Sequence, residues 1–215
     1  MKIPYGRQNI TDEDINEVVE VLKSDFLTQG PKIPELEKKF SNYINSKYSI
    51  AVNNGTSALY LASVALQVNS SSNIITTPIT FSATANAFKI HDANIHFVDI
   101  DRDTYLIDYN LLEKKLKSKP KGFFNGIIVV DFAGRCVNLE KFYLLAKKYG
   151  CWLVEDACHA PGASFINSKN KKHLAGDGFY ADISIFSMHP VKHIASGEGG
   201  IVTTRNEKLY KKMIQ

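Results

Sequence analysis

The sequence predicts an α/β domain, a mostly parallel β-sheet with helices on both faces. Hydrophobic, β-branched runs alternate with segments of helical period from Tyr48 to Thr204, the order that builds such a sheet. Thr56, Asp156, Ser187 and Lys192 all fall just after a predicted strand, where open α/β sheets bind their ligands. The composition is globular, 44% hydrophobic and 22% charged over 215 residues, enough for one large domain.

Residues 1–10 read as extended or irregular. Thr11 is placed to cap a helix, with Asp14 three residues on and Ile15, Val18, Val19 and Leu22 on one apolar face. Leu27-Thr28-Gln29-Gly30-Pro31 breaks it. Pro34 is expected to open a second helix with Leu36, Phe40, Tyr43 and Ile44 inward. Tyr48 to Val52 reads as a strand, Ala58 to Leu66 as a helix, Asn73 to Thr77 as a strand and Ser82 to Ile90 as a helix. Ile95 to Ile100, Ile127 to Phe132 and Cys151 to Glu155 follow as strands, with helices at Asn110 to Leu116 and Leu139 to Tyr149 between them. Ile183 to Phe186 and Gly200 to Thr204 are the last strands. Residues 1–47 form an N-terminal helical segment and 48–215 the α/β domain. The sequence stops at Gln215 inside an amphipathic pattern with no capping glycine or proline, so a longer protein, truncated here, is expected.

Net charge is +4, spread in short clusters at Lys114–Lys121 and Lys169–Lys172, which read as solvated faces and argue against nucleic acid. Three cysteines fit no disulfide framework and no zinc spacing. No apolar run reaches spanning length and no signal-peptide core is visible, so a cytoplasmic protein away from the membrane is expected.

The chemistry gathers after Ile183. Lys192 stands in an aperiodic loop beyond a buried strand, where an ammonium is costly to bury. An imine to a carbonyl cofactor removes that charge, and desolvation frees the lone pair for attack; a lysine that snorkels to solvent is the plainer reading. Gly55-Thr56-Ser57 lies between a strand and a helix, a place for phosphate or for a simple cap. GxGxxG and GxxxxGK[ST] are absent, and Gly197-Glu198-Gly199-Gly200, which precedes a strand, reads as a turn. Glu155 and Asp156 end a strand and point to opposite faces, so one of them can face a cationic ring nitrogen. Cys158-His159 lacks an orienting third group. His91, His96 and His173 read as surface or satisfied core residues. Phe81 is placed either to stack on an aromatic ligand or to fill the core.

The ordered set NNGTSAL, TTPITFSATANA, VDID, DFAG, VEDACHAPGA and FSMHPVKHIASGEGG resembles the DegT/DnrJ/EryC1/StrS aminotransferases, which act on nucleotide-linked sugars. The likeness runs along essentially the whole chain. LTQGP with TTPITFSATAN looks most like the pseudaminic-acid branch, which aminates the 4-keto group of a UDP-linked 4-keto-6-deoxy-N-acetylhexosamine with glutamate as the usual donor. The resemblance implies the large domain of the aspartate-aminotransferase-like fold (fold type I), pyridoxal 5'-phosphate as cofactor, and a homodimer in the complete protein, with the C-terminal small domain missing here. It makes Lys192 the cofactor lysine, Asp156 the partner of the pyridine nitrogen and His159 a neighbour of the cofactor hydroxyl. Phe81 would stack on the ring, and Gly55, Thr56, Ser57 and Ser187 would hold the phosphate. Tyr5 and Asp25, Phe26, Leu27 and Thr28 resemble the substrate-binding segment. No metal is implied. Met188 replaces a usual aromatic. Some relatives dehydrate sugars and carry His at the lysine position, and Lys192 argues against that outcome. An aminotransferase of another nucleotide-linked keto sugar, a binding fragment without turnover and a generic nucleotide binder are the competing readings.

Overall fold

Strand-forming runs with β-branched residues on both faces need cover on both sides, and the chain supplies it. The structure, a computed structural model, describes residues 6–215. The elements run α1 (Asp12–Lys23), α2 (Lys32–Ile44), β1 (Tyr48–Val52), α3 (Gly55–Ala65), β2 (Asn73–Thr76), α4 (Ala83–Lys89), β3 (Asn94–Phe97) and α5 (Tyr109–Lys117). They continue with β4 (Gly126–Val130), α6 (Leu139–Tyr149), β5 (Trp152–Asp156), β6 (Ser164–Ile166), β7 (Lys172–Leu174), β8 (Ile183–Ser187), β9 (Gly200–Thr204) and α7 (Glu207–Met213).

Seven strands form one sheet in the order β1-β9-β8-β5-β4-β2-β3. The pairs from β3 through β2, β4 and β5 to β8 are parallel, whereas β9 runs antiparallel to both neighbours. The mostly parallel sheet is therefore present, with one reversed strand, β9, set between β8 and the edge strand β1. Alternation sorts the core. Ile128, Val154, Ile183, Ile185 and Val202 face α3, α4 and α7. Ile127, Val129 and Leu153 face the layer of α5 and α6.

Several expectations shift. α2 opens at Lys32, with Pro31 as its N-cap and the Glu35 N–H donating to the Pro31 carbonyl at 3.2 Å. Pro34 then sits in the first turn, where its missing N–H costs nothing. Phe40 and Ile44 are buried against Phe186 and Ile201, but Leu36 and Tyr43 are exposed. α1 has the expected Thr11–Asp14 capping box. Its apolar face is nevertheless open: Ile15, Val18 and Leu22 are more than half exposed and Val19 is exposed as well. α3 begins at Gly55 instead of Ala58, because Asn54 caps the helix by accepting from the Ser57 N–H at 2.8 Å. The β6–β7 hairpin was not expected; strands of three residues are too short to show a period.

Candidate active site

The loops and helix starts that follow β1, β2, β5 and β8 each deliver one part of the site. β5 ends on Asp156, which is 4% exposed, and Glu155 beside it is fully buried. The two carboxylates point to opposite faces and share no partner. Asp156 Oδ2 accepts from Thr84 Oγ1 at 2.6 Å, and its Oδ1 accepts from the Cys158 N–H at 3.2 Å. The Thr84 hydroxyl is in turn 2.7 Å from that of Thr80. The carboxylate is thus buried and held in orientation by a hydroxyl and a backbone N–H, an arrangement suited to a facing cation.

At the other end of the cluster, the first amides of α3 precede any intrahelical acceptor. The Asn54 cap takes the Ser57 N–H, which leaves the Gly55 and Thr56 amides at a helix start, where the dipole favours an anion. This turn is pressed onto β8 and β9. A Cβ on Gly55 would stand 2.9 Å from Ser187 Cβ, and one on Gly200 would stand 2.5 Å from the Asn54 carbonyl carbon. Glycine at both positions lets backbone, hydroxyl and helix end approach together. The same hypothetical Gly55 Cβ lies 3.5 Å from Cys158 Sγ, which ties the α3 turn to the Asp156 end.

The loop from Met188 to Gly199 is closed by the Met188 N–H on the Gly199 carbonyl (2.8 Å) and the Ser196 N–H on the Met188 carbonyl (2.9 Å). Within it Lys192 is half-buried, and its N–H donates to the His189 carbonyl at 2.8 Å. Burial holds the His159 imidazole below its ordinary pKa, the Lys192 charge adds to this, and Asp156 opposes it. Burial and then Asp156 push the Cys158 thiol well up, and Lys192 pulls it the other way. Lys192 and Asp156 thus act on the same two side chains. Cys158 stays a thiol, which agrees with setting the Cys158–His159 dyad aside. His159 Nδ1 accepts from the Ala133 N–H at 3.3 Å, so the proton of the neutral ring sits on Nε2.

Phe81 is 71% exposed at the start of α4, free of the core. The segment expected from the resemblance to bind substrate lies apart. Phe26, Leu27 and Thr28 line a cleft of about 390 Å³ between α1 and α2, which neither Asp25 nor any residue of the Asp156–Lys192 cluster lines. Tyr5 lies outside the described residues; a Cβ added to Gly6 would stand 3.9 Å from the Cα of Val191, the neighbour of Lys192. Thr84 and Thr80 were missed in the sequence. Their signal was an i, i+4 pair of hydroxyls at the head of a helix.

Residues 8–215 match the DegT/DnrJ/EryC1/StrS aminotransferase family. The chain is 42% identical over 214 residues to the UDP-4-amino-4,6-dideoxy-N-acetyl-beta-L-altrosamine transaminase of Campylobacter jejuni, covering 98% of itself and 54% of that relative. Among solved structures it resembles Helicobacter pylori PseC, an aminotransferase involved in the biosynthesis of pseudoaminic acid. The TM-score there is 0.88 at 31% identity, with 100% of this chain and 55% of that one covered. The PLP-form of a sugar aminotransferase, Spr1654 of Streptococcus pneumoniae, gives a TM-score of 0.87 at 28% identity, over 100% of this chain and 57% of that one. The chain spans about half the length of the relatives it matches.

Proposed function

The chain belongs to the DegT/DnrJ/EryC1/StrS aminotransferase family, and from that premise we propose that its protein is a pyridoxal-phosphate-dependent aminotransferase of a nucleotide-linked keto sugar. The observation that carries this is the Asp156 carboxylate, buried and held by Thr84 and the Cys158 N–H, in one cluster with Lys192 and the glycine-bearing α3 turn. These residues fit the cofactor. The Gly55 and Thr56 amides with the Ser57 and Ser187 hydroxyls form a cradle for phosphate. Asp156 offers one charge for a pyridinium, and Lys192 offers one amine for a carbonyl. Phe81 is exposed and available to cover a ring.

When bound, the cofactor supplies the electron sink that lets an amino donor lose its α-proton. The protein's own part follows from the geometry. Asp156 keeps a ring nitrogen protonated, because a buried carboxylate 4% exposed stabilises the facing cation. The Lys192 amine carries the proton at the donor's α-carbon. His159, whose Nδ1 accepts from the Ala133 N–H, would have its Nε2–H available to donate to the cofactor hydroxyl. The substrate class in this reading is a UDP-linked 4-keto-6-deoxy-N-acetylhexosamine, which the similarity to the altrosamine transaminase supports, and the donor is glutamate, which rests on the resemblance of the motifs alone. In this reading Tyr5 and residues 25–28 contribute to sugar binding, residues 48–215 are the cofactor domain behind a 1–47 helical segment, and the protein works as a cytoplasmic homodimer. Among the described residues no helix is long and apolar enough to cross a membrane.

Borohydride reduction of the full-length protein with pyridoxal phosphate, followed by peptide mass spectrometry, tests the assignment. The label is expected on Lys192 and on no other lysine. Lys192→Ala should keep phosphate-dependent binding and lose both the cofactor's lysine-bound absorbance and transamination. Label on another lysine, or none, overturns the reading.

A further inference from the structure

Behind Asp156, on the opposite face of the sheet, lies a second carboxylate arrangement that the proposed chemistry does not use. Asp131 follows β4 and Glu155 stands on the parallel neighbour β5, where Val129 pairs with Glu155 and Val130 with Asp156. Both acids are fully buried. Each has one oxygen satisfied. Asp131 Oδ1 accepts from the Val137 N–H at 2.8 Å. Glu155 Oε2 accepts from Ser184 Oγ at 2.6 Å and from the Gly176 N–H at 2.9 Å. The other oxygens, Asp131 Oδ2 and Glu155 Oε1, meet no conventional donor among the described residues. A carboxylate oxygen of each and Cys136 Sγ lie within 4.8 Å of one another.

We propose that Asp131 and Glu155 share one buried proton, carried by Asp131 and donated to Glu155, and that this cross-strand clamp is a positioning element for Asp156. Two adjacent ionised carboxylates without water are strongly disfavoured, and one proton between them removes the conflict. Two donors already serve Glu155 and one serves Asp131, so Glu155 is the member that ionises, above its pKa of about 7, while Asp131 holds the proton. The clamp reaches Asp156 through the backbone: the Asp131 N–H donates to the Asp156 carbonyl at 3.0 Å. Burial, then the Glu155 charge, raises the Asp131 pKa far above the carboxylate range. Burial raises Glu155 to about 7 against the Ser184, Asp131 and Gly176 hydrogen bonds. The other titratable groups facing the pair are the Cys136 thiol, which burial and Asp131 keep protonated, Asp156, and Asp177, which is itself bonded to His173 at 2.7 Å.

Because the Asp131 pKa is raised on folding, its stabilising contribution is complete below the ordinary carboxylate pKa of about 4 and is lost as pH rises. Wild-type folding above that pH takes up about one more proton than Asp131→Asn folding. Asn mimics the protonated acid, accepting from Val137 and donating to Glu155. The ratio of folding constants, variant over wild type, should rise about tenfold per pH unit between pH 5 and 7. Infrared spectra of the wild type well above pH 7, where Glu155 with its pKa of about 7 is ionised, should show a protonated carboxyl C=O stretch that Asp131→Asn removes. The carboxyl ¹³C resonance of Asp156 should stay in place in Asp131→Asn and move in Asp131→Ala. None of these readouts uses the cofactor, so failure here is separable from failure of the aminotransferase reading. An absent carboxyl band, a band that persists in Asp131→Asn, a pH-independent ratio, or an Asp156 resonance that moves equally in both variants overturns the proposal. A melting temperature lowered by chelator alone does so too, since it would identify a metal ion in place of the proton.

Discussion

The Thr84 hydroxyl offers the sharpest test of how the site is held. Thr84→Val keeps the shape of a fully buried side chain and deletes the donor 2.6 Å from Asp156 Oδ2. Asp156 would then retain the Cys158 N–H at 3.2 Å as its remaining donor in the protein. A hydrogen bond to a charged group is worth about 1.5–3 kcal/mol net. For a domain of this size that is a fall in Tm of about 3–12 °C. If Asp156 is the partner of the cofactor's cation, its weakened charge should also loosen cofactor binding about tenfold or more, since about 1.4 kcal/mol is one decade. Thr84→Ser restores the hydroxyl and should recover most of both losses. The assays are urea unfolding and a spectrophotometric titration with pyridoxal phosphate. If Val and Ser variants fall equally, the methyl packing carries the effect and the argument from the hydroxyl is wrong. If neither moves Tm, the Thr84–Asp156 bond contributes nothing in solution.

Asp156→Asn keeps the shape and removes the charge, so turnover in the full-length protein should fall on the order of 10³-fold; near-normal turnover excludes Asp156 as the ring partner. Gly55→Ala drives a Cβ to within 2.9 Å of Ser187 Cβ, and overpacking of this kind costs about 1–3 kcal/mol. A denaturant midpoint equal to wild type, with phosphate affinity intact, would show that the cradle is not close-packed. Burial, with Lys192, lowers the His159 pKa, so the unfolded chain binds more protons just below the ordinary value of about 6.5. The His159 contribution is therefore present above that pH and lost as pH falls through the folded-state pKa. His159→Asn should flatten the rise of stability with pH over that window, and an unchanged slope in urea melts at several pH values would contradict the assignment.

Much of the fold was legible because it rests on local periods. Alternating hydrophobic strands and helices specified the mostly parallel sheet. The bounds of β1, α6 and β9 came directly from β-branched runs, helical spacing and flanking glycine. The opposed directions of Glu155 and Asp156 needed nothing beyond the two-residue period of a strand. The family motifs are also contiguous, so NNGTSAL and FSMHPVKHIASGEGG could be matched without any three-dimensional information.

Contacts distant in sequence were decided by tertiary structure alone. Thr84 meets Asp156 across 72 residues, a pairing that depends on α4 crossing over the end of β5. Asp131 meets Glu155 because β4 and β5 are neighbours in parallel register, and strand order is not written in either segment. Reversal of β9, exposure of Phe81 and the open apolar face of α1 belong to the same class. A hydrophobic pattern states that a face prefers burial, but whether a counter-surface is there depends on how the whole chain packs. The sequence therefore determined most of the elements and the two faces of the central strands, though not the β6–β7 hairpin or the exposure of Leu36 and Tyr43. The structure decided which of those side chains meet, because that follows from non-local packing and from the hydrogen bonds that buried polar groups require.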